Sequence, residues 1–386
     1  MAEGDFDVVH ARAICALTSL NANWEITTVR QPLADVESLT TRPGDGDEGP
    51  GGRPLHPLVV VGIVMLALYD KRDPDEALRQ LAAHFESADP WTRSGARLMH
   101  AFSSMALGRL DDVARECAEA LAGFEALGDR WGVALALVGQ ADLAALDGDH
   151  ARAIGALERA VKLSGELTDW EDTAQMHASL AKSRSRLGDH RGALADITRA
   201  ERSACDQGDS ETGLWIAYVK AELAWLRGDL AEAGQITRRL DAQMASKNNV
   251  MIGNFRAQAQ NRTALVDIKS GNLAGGRAGL ASALRLARDS MDLSALAVVM
   301  DGVAAAAVWT DPSRSGAERA AVLLGAAHSL RGAFDHSSLD APQTRDTARQ
   351  KLGEAAFDAA YQRGRGLGPE AAFTLAEGAV GSSASV

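Results

Sequence analysis

The chain of 386 residues carries a formal net charge of −12, because 52 acidic residues outnumber 40 lysines and arginines. This acidic balance excludes a surface that grips the phosphates of nucleic acid, so any action on DNA has to pass through other domains or subunits. The 46% hydrophobic share and the three well-separated cysteines, Cys15, Cys117 and Cys205, predict a globular cytoplasmic protein without a disulfide framework or a zinc site.

Two different segments are expected before the main body of the chain. Residues 1–41 are predicted to form a helical hairpin, and RPGDGDEGPGGRP over residues 42–54 is a linker rich in glycine, proline and acids. Its GDGDEG run has the spacing GxGxxG, but it follows no strand, opens no helix and carries three acids that would repel a pyrophosphate. The apolar run LVVVGIVMLAL, from Leu58, is too short to cross a membrane and is interpreted as a buried helix.

From residue 55 onward the chain repeats at intervals of forty residues, with one insertion of three. Turn glycines recur at this period, namely Gly108, Gly148, Gly188, Gly228 and Gly271. Seven positions earlier stand alanines, namely Ala101, Ala141, Ala181, Ala221 and Ala264. Twelve positions later stand Ala120, Ala160, Ala200, Leu240 and Ala283. A second turn shares the period, at Asp89, Asp129, Asp169 and Asp209.

Each repeat is predicted to be a pair of antiparallel helices. Glycine ends the first helix because it takes a positive φ at little cost, and alanine lets the two helices approach closely. One pair cannot bury its apolar face alone, so the pairs stack. The column positions favour an all-α, tetratricopeptide-like, right-handed superhelical solenoid of about 40-residue helix pairs, with HEAT-type repeats of similar length as the alternative.

The bounds of this array follow from the same register. The repeats are predicted over residues 55–312, C-terminal capping helices over 313–379 and a disordered tail over 380–386. At least six helix pairs are expected between residues 55 and 335, followed by helices near 343–365 and 369–378.

Candidate ligand residues lie on the first helices, which line the concave face of a superhelix of this kind. The helix before Gly228 concentrates aromatic groups, and the corresponding positions of its neighbours are polar or basic. These candidates are Trp215, Tyr218, Glu222 and Trp225, with Gln175, Lys182 and Arg186 one repeat earlier and Gln258 and Asn261 one repeat later. They predict a groove for an aromatic or sugar-like molecule, or a peptide, that carries a polar or anionic group. Alternatively, the aromatic rings pack between repeats and leave no pocket.

Motifs of catalysis do not appear in the sequence. It contains no GxxxxGK[ST] phosphate loop, no metal-ligand spacing of histidines or cysteines, and no recognisable set of nucleophile, base and orienting group. We therefore expect no catalytic residue, no metal and no cofactor, and neither ATP hydrolysis nor direct DNA binding.

The C-terminal stretches ERAAVLLGAAHSLRGAF and RQKLGEAAFDAAYQRGRGLGPEAAFTLA resemble the closing segment of large actinobacterial transcriptional regulators. These are the SARP-type and ATP-binding LuxR-type proteins of the STAND ATPase class. DPWTRSGARLMHAF and LGDRWGVALAL resemble the helical sensor region of the same family, so the likeness covers roughly residues 55–378.

This resemblance implies a repeat region that senses an effector or a partner on behalf of an ATPase domain and a DNA-binding domain, neither of which lies in this chain. Two functions follow from it: a sensor module that binds a small effector or a peptide, or a general protein-protein interaction scaffold without a small ligand.

Overall fold

The computed structural model describes residues 48–49, 53–54, 74–165, 172–204, 211–245, 250–289 and 292–381. The predicted N-terminal hairpin, the apolar run from Leu58, Asp169, Asp209 and residues 382–386 lie outside these ranges. The chain forms two compact units. The first comprises the residues up to Ser104 together with Asp112–Gly139, and the second comprises Met105–Asp111 and Gln140–Val386.

The first unit begins with two short strands inside the segment predicted as a linker. Strand β1, Glu48–Gly49, pairs antiparallel with β2, Arg53–Pro54. These strands of two residues each are a local turn and leave the all-α character of the fold unchanged. Helix α1, Pro74–Ala83, follows them.

Six helix pairs follow one another between Pro90 and Arg331, as the sequence predicts. Their bounds are α2 Pro90–Ala106 with α3 Val113–Leu127, α4 Arg130–Leu146 with α5 His150–Ser164, α6 Asp172–Arg186 with α7 His190–Ala204, α8 Glu211–Leu226 with α9 Leu230–Met244, α10 Val250–Lys269 with α11 Leu273–Asp289, and α12 Leu293–Thr310 with α13 Arg314–Arg331. The fold is therefore all-α and tetratricopeptide-like.

The turn inside each of the first five pairs depends on its glycine. All five repeat glycines adopt a left-handed backbone, with φ between 69° and 89°. The next residue then caps the second helix: Asp149 accepts a hydrogen bond from the Arg152 amide at 3.0 Å, and Asp229 accepts one from the Glu232 amide at 2.9 Å. This cap explains why an aspartate follows three of the five glycines.

The small-residue columns lie where the helices cross. Ala101, Ala141, Ala181, Ala221 and Ala264 are each at most 1% exposed. In the third pair, Ala181 belongs to a core cluster that also contains Ile197, Val219 and Leu223 from the neighbouring helices. A methyl group is the largest side chain that fits at this crossing without moving the helices apart.

Three helices follow the sixth pair, where we expect two. They are α14, Ala341–Leu352, α15, Glu354–Arg365, and α16, Pro369–Gly381. The expectation of one helix near 343–365 is wrong because Gly353, at φ 80° and ψ 154°, breaks it. Helix α16 runs two residues into the segment predicted as a tail, since Val380 packs into the core. The other predicted domain boundaries stay predictions.

Helix α12 is the one described helix that is long and apolar enough to cross a membrane, with a mean hydropathy of 1.7. However, 72% of it is buried inside the structure, and α11, α13 and α16 pack against it. The core helix of a soluble protein has the same properties, so this helix is weak evidence for a membrane span.

A segment that we call the return segment, residues 332–340, connects α13 to α14 within the second unit. The His336 amide donates a hydrogen bond to the carbonyl oxygen of Leu146, at 3.0 Å, and Asp340 forms an ion pair of 2.6 Å with Arg262. Both side chains of this ion pair are buried. The return segment thus joins the end of the array to its second and fifth pairs.

Ala181→Trp is expected to destabilise the chain by about 1–3 kcal/mol, because an indole overpacks a crossing that is filled by a methyl group. The control is Gln175→Trp on the same helix, whose position is exposed. Urea denaturation should show a lower midpoint for the first variant and a change within about 0.5 kcal/mol for the second. Equal midpoints would mean that the alanine column does not mark the crossing.

Gly148→Ala is expected to cost more stability than Gly228→Ala. Both glycines have a left-handed backbone, so each new methyl group introduces strain of about 1–2 kcal/mol. At Gly148 the methyl group also lies 3.0 Å from Cβ of His336, whereas nothing lies within 4 Å at Gly228. Chemical denaturation of both variants gives the comparison. Equal losses would show that the return segment does not touch this turn in solution.

Candidate functional site

A cavity of about 310 Å³ opens among the helices of the second unit. Its lining comes from the first helices of several pairs, from α5, from the end of α13 and from the return segment. The apolar part of the lining, which we call the apolar wall, consists of Met105, Ala106, Leu110, Ala145, Leu146 and Leu157. The polar part, which we call the polar wall, includes Asp142, His150, Lys182, Trp215, Asp292 and Arg331. Such a combination of apolar area with a few convergent polar groups is typical of a ligand-binding cavity.

Asp142 is the most unusual group in the lining. It is the only acid in helix α4, directly after Ala141, and it has no hydrogen bond or ion pair with any described residue. Its side chain is exposed to solvent through the cavity, but the surrounding protein desolvates the carboxyl and raises its pKa to about 6, although the charge of Lys182 opposes the shift. An ionised Asp142 therefore has no hydrogen-bond or ion-pair partner among the residues that the structure describes.

Two ring nitrogens of other lining residues also lack a hydrogen-bond partner within the described part of the chain. His150 is 8% exposed and its Nδ1 is unbonded, while burial, together with the charges of Arg186 and Lys182, lowers its pKa. His150 is therefore neutral near pH 7. The indole N–H of Trp215 is buried without an acceptor. Since buried polar atoms are usually bonded, these atoms indicate a place for a ligand or for ordered water.

The two cations of the lining have carboxylate partners. Nζ of Lys182 lies 3.6 Å from Oε2 of Glu222 and 5.7 Å from the ring centre of Trp215. Nη2 of Arg331 lies 2.6 Å from Oδ2 of Asp301, and both of these side chains are buried. The positive charges of the cavity wall are therefore compensated within the protein.

The three aromatic rings expected to form one exposed surface are placed differently. Trp215 reaches the cavity and stacks on Tyr218, with ring centres 5.9 Å apart, but Tyr218 is 4% exposed and Trp225 is 8% exposed. Trp225 lies between Arg262, at 4.7 Å, and Trp309, at 6.3 Å, outside the lining. The physical reason is that α8 is covered by α6, α9 and α10, so packing occupies most of its faces.

The other candidate residues are divided in the same way. Lys182 lines the cavity, and Glu222 lies behind it as its partner. Arg186 is half-buried, has a pKa lowered mainly by burial, and faces the charges of Glu222 and Asp335. The remaining three candidates are not part of the lining. Gln175 is exposed, Gln258 is half-buried and Asn261 is buried. Ligand contact by any of these residues stays a prediction.

Several lining residues escaped the sequence analysis. Asp142 could have been identified from the sequence, because an acid directly beside the small-residue column of an apolar helix is unusual and indicates a function. Asp292 and Ser337 carried no such signal, since they lie at the start of α12 and in the return segment, where the forty-residue register gives no position. Within the described ranges, no three His, Cys, Asp or Glu side chains gather as metal ligands would.

Comparison with solved structures identifies known folds of this kind. The chain is similar to a Rap protein complexed with Competence and Sporulation Factor, with a TM-score of 0.65 and 14% identity, over 96% of this chain and 99% of that one. It also matches the TPR domain of P58(IPK), with a TM-score of 0.23 and 14% identity, over 92% and 97% of the two chains. At 14% identity the first match shows the fold alone. No family model and no curated protein matches the chain.

Asp142→Asn is expected to stabilise the chain above about pH 6 and to have no effect near pH 4. The folded state holds the proton of Asp142 up to about pH 6, whereas the ordinary value is 3.8. Between these two values the unfolded chain loses this proton while the folded chain keeps it, so the free energy of unfolding falls as the pH rises through the window, and asparagine removes that loss.

The melting temperature of wild type, Asp142→Asn and Asp147→Asn between pH 4 and pH 8 checks this. Asp147 is exposed at the end of the same helix, so its variant is a matched control that should follow the wild type. A loss of stability for Asp142→Asn at neutral pH would show that the carboxylate has a partner in the folded protein.

Proposed function

We propose that the chain is a non-enzymatic sensor module that binds a small effector or a peptide in the cavity of its second unit. The observation that carries this proposal is the cavity itself, which combines an apolar wall with a carboxylate and two ring nitrogens that have no hydrogen-bond partner among the described residues. A ligand that satisfies these groups recovers hydrogen bonds that the free protein lacks. The fold adds support, since the solved Rap structure is that of a complex with a factor.

The return segment supplies a route by which binding can be transmitted. Ser337 of this segment and Arg331, at the end of α13, both line the cavity, and the segment leads directly into α14. A ligand that contacts them favours one arrangement of the segment over others, and it thereby acts on the C-terminal helices. A sensor needs a ligand contact that is stronger in one arrangement of the return segment than in the others.

The regulatory context of the proposal comes from the resemblance to SARP-type and ATP-binding LuxR-type regulators. In that context the module is cytoplasmic and needs no cofactor or membrane. It acts on DNA only through other domains or subunits, which also carry ATP hydrolysis. Its partner is then the effector, or the protein to which it reports.

An interaction scaffold without a small ligand is the second candidate. The observation in its favour is a set of exposed leucines on helices or turns of successive pairs. These are Leu187, Leu194, Leu226 and Leu273, with exposures between 38% and 56%. Single exposed apolar side chains are common on soluble proteins, so the cavity carries more weight.

A variant that fills the cavity separates the two functions. Ala145→Phe places a ring in the lining, and Ala151→Phe makes the same substitution at an exposed position of α5. Thermal unfolding is measured with a metabolite extract and with a pool of short synthetic peptides. A ligand at one hundred times its Kd stabilises the folded state by about 2.7 kcal/mol.

The sensor function requires that one of these pools raises the melting temperature of the wild type and of Ala151→Phe but not that of Ala145→Phe. The scaffold function replaces the sensor function if no pool changes the melting temperature of the wild type. The same holds if Ala145→Phe responds as strongly as the wild type.

A further inference from the structure

The charge around the cavity is unbalanced in one direction. The ionisable side chains of the polar wall and of the layer behind it include four cations, Lys182, Arg186, Arg262 and Arg331, and six carboxylates, Asp142, Glu222, Asp292, Asp301, Asp335 and Asp340. Three of these cations have a carboxylate within 3.6 Å, namely Glu222, Asp340 and Asp301. Arg186 faces Glu222 and Asp335. The surplus charge is therefore negative.

The surplus is concentrated at Asp142, which is the carboxylate of this group that faces the cavity without a hydrogen bond or ion pair to the described residues. Asp292 adds a second negative charge from the start of α12, where it accepts the Ala295 amide at 2.9 Å and the Asn254 side-chain amide at 2.8 Å. A partner supplied from outside has to bring positive charge and hydrogen-bond donors.

His150 gives an independent indication of the same kind. Its side chain is more than nine-tenths buried, it lines the cavity, and its Nδ1 has no partner. Because the ring is neutral near pH 7, this nitrogen accepts a hydrogen bond when the proton is on Nε2. His150 and Asp142 line the same cavity, and a nitrogen that needs a donor and a carboxylate both match a ligand with several N–H donors.

The remaining walls limit the shape of that ligand. Trp215 offers an aromatic face, and the Lys182 ammonium already lies 5.7 Å from its ring centre, so a cation is tolerated there. The apolar wall of Leu110, Ala145 and Leu157 suits an alkyl chain. A volume of about 310 Å³ accommodates such a chain with its head group.

We propose, building on the sensor function, that this cavity selects a ligand with an ammonium or guanidinium group on an apolar stem. The cationic head lies against the carboxylate of Asp142, near the ring of His150, and the stem lies along the apolar wall. Lys182 already faces the carboxylate of Glu222, which favours a cationic over an anionic head group at this end of the cavity.

The experiment uses probes that share a stem and differ in charge. Hexylammonium, hexan-1-ol and hexanoate form the small-molecule arm, and acetyl-Leu-Lys-Leu-amide and acetyl-Leu-Glu-Leu-amide form the peptide arm. Binding to the full chain is measured by NMR or calorimetry at pH 7.5 and 0.15 M salt, where unspecific attraction to an acidic surface is screened. At least one cationic probe is expected to bind about tenfold more tightly than its anionic counterpart.

Variants test the assignment to Asp142. Asp142→Asn should weaken the cationic probe about tenfold and leave hexan-1-ol unchanged, whereas Asp147→Asn, outside the cavity lining, should bind both like the wild type. Binding by the lysine peptide without binding by hexylammonium supports the inference and identifies a peptide as the source of the cation. Binding by hexylammonium without binding by the lysine peptide also supports the inference and identifies a free amine as the source of the cation.

Two results overturn the inference in distinguishable ways. If hexan-1-ol binds and Ala145→Phe abolishes that binding, but the cationic probe is not preferred or does not depend on Asp142, the cavity binds ligands without selecting a cation and the sensor function stands. If no probe binds and no pool of metabolites or peptides stabilises the chain, the selectivity and the sensor function both fail.

Discussion

The buried ion pair between Arg262 and Asp340 is the interaction on which the site depends. Two charges removed from water repay their desolvation only when they meet at close range, and here the Nη1 to Oδ2 distance is 2.6 Å. The pair holds the return segment against α10, so Ser337 is brought to the cavity. Arg262 also covers the ring of Trp225, at 4.7 Å from its centre. The same interaction thus builds one wall of the cavity and withdraws an aromatic group from it.

A repeat array that gathers many charges on its inner helices has to pair them or leave them hydrated. In the second unit most of them are paired, as for Arg331 with Asp301 and Lys182 with Glu222. Asp142 has no such partner among the described residues, and its carboxyl stays protonated to a higher pH than usual. The raised pKa means that this carboxylate lowers the free energy of unfolding at neutral pH. Such a loss of stability is common at positions where a protein binds a ligand.

The repeat fold was predictable because each of its signals acts locally. A left-handed turn at Gly188 needs glycine whatever surrounds it, and a crossing at Ala181 needs a small side chain, so both positions stand out in the sequence. The site was harder to predict, because exposure depends on which neighbours cover a side chain. Trp215 and Trp225 lie on the same helix, yet only Trp215 reaches the cavity, since Arg262 and Trp309 cover the other. The break at Gly353 was visible as a glycine, but a helix tolerates an isolated glycine, and the surroundings decide.

The hydrogen bond between His336 and Leu146 also bears on how such a chain can evolve and unfold. In an open array each repeat touches only its neighbours, so pairs can be duplicated or lost and the ends can fray independently. Here the sixth pair leads back to the turn of the second pair, and the turn glycines Gly108 and Gly332 approach so closely that a methyl group on Gly332 would lie 2.3 Å from the Gly108 carbonyl oxygen. Adding or deleting a pair between these points would separate partners that have to meet. The number of repeats in this unit is therefore fixed, and its pairs should melt together rather than one by one.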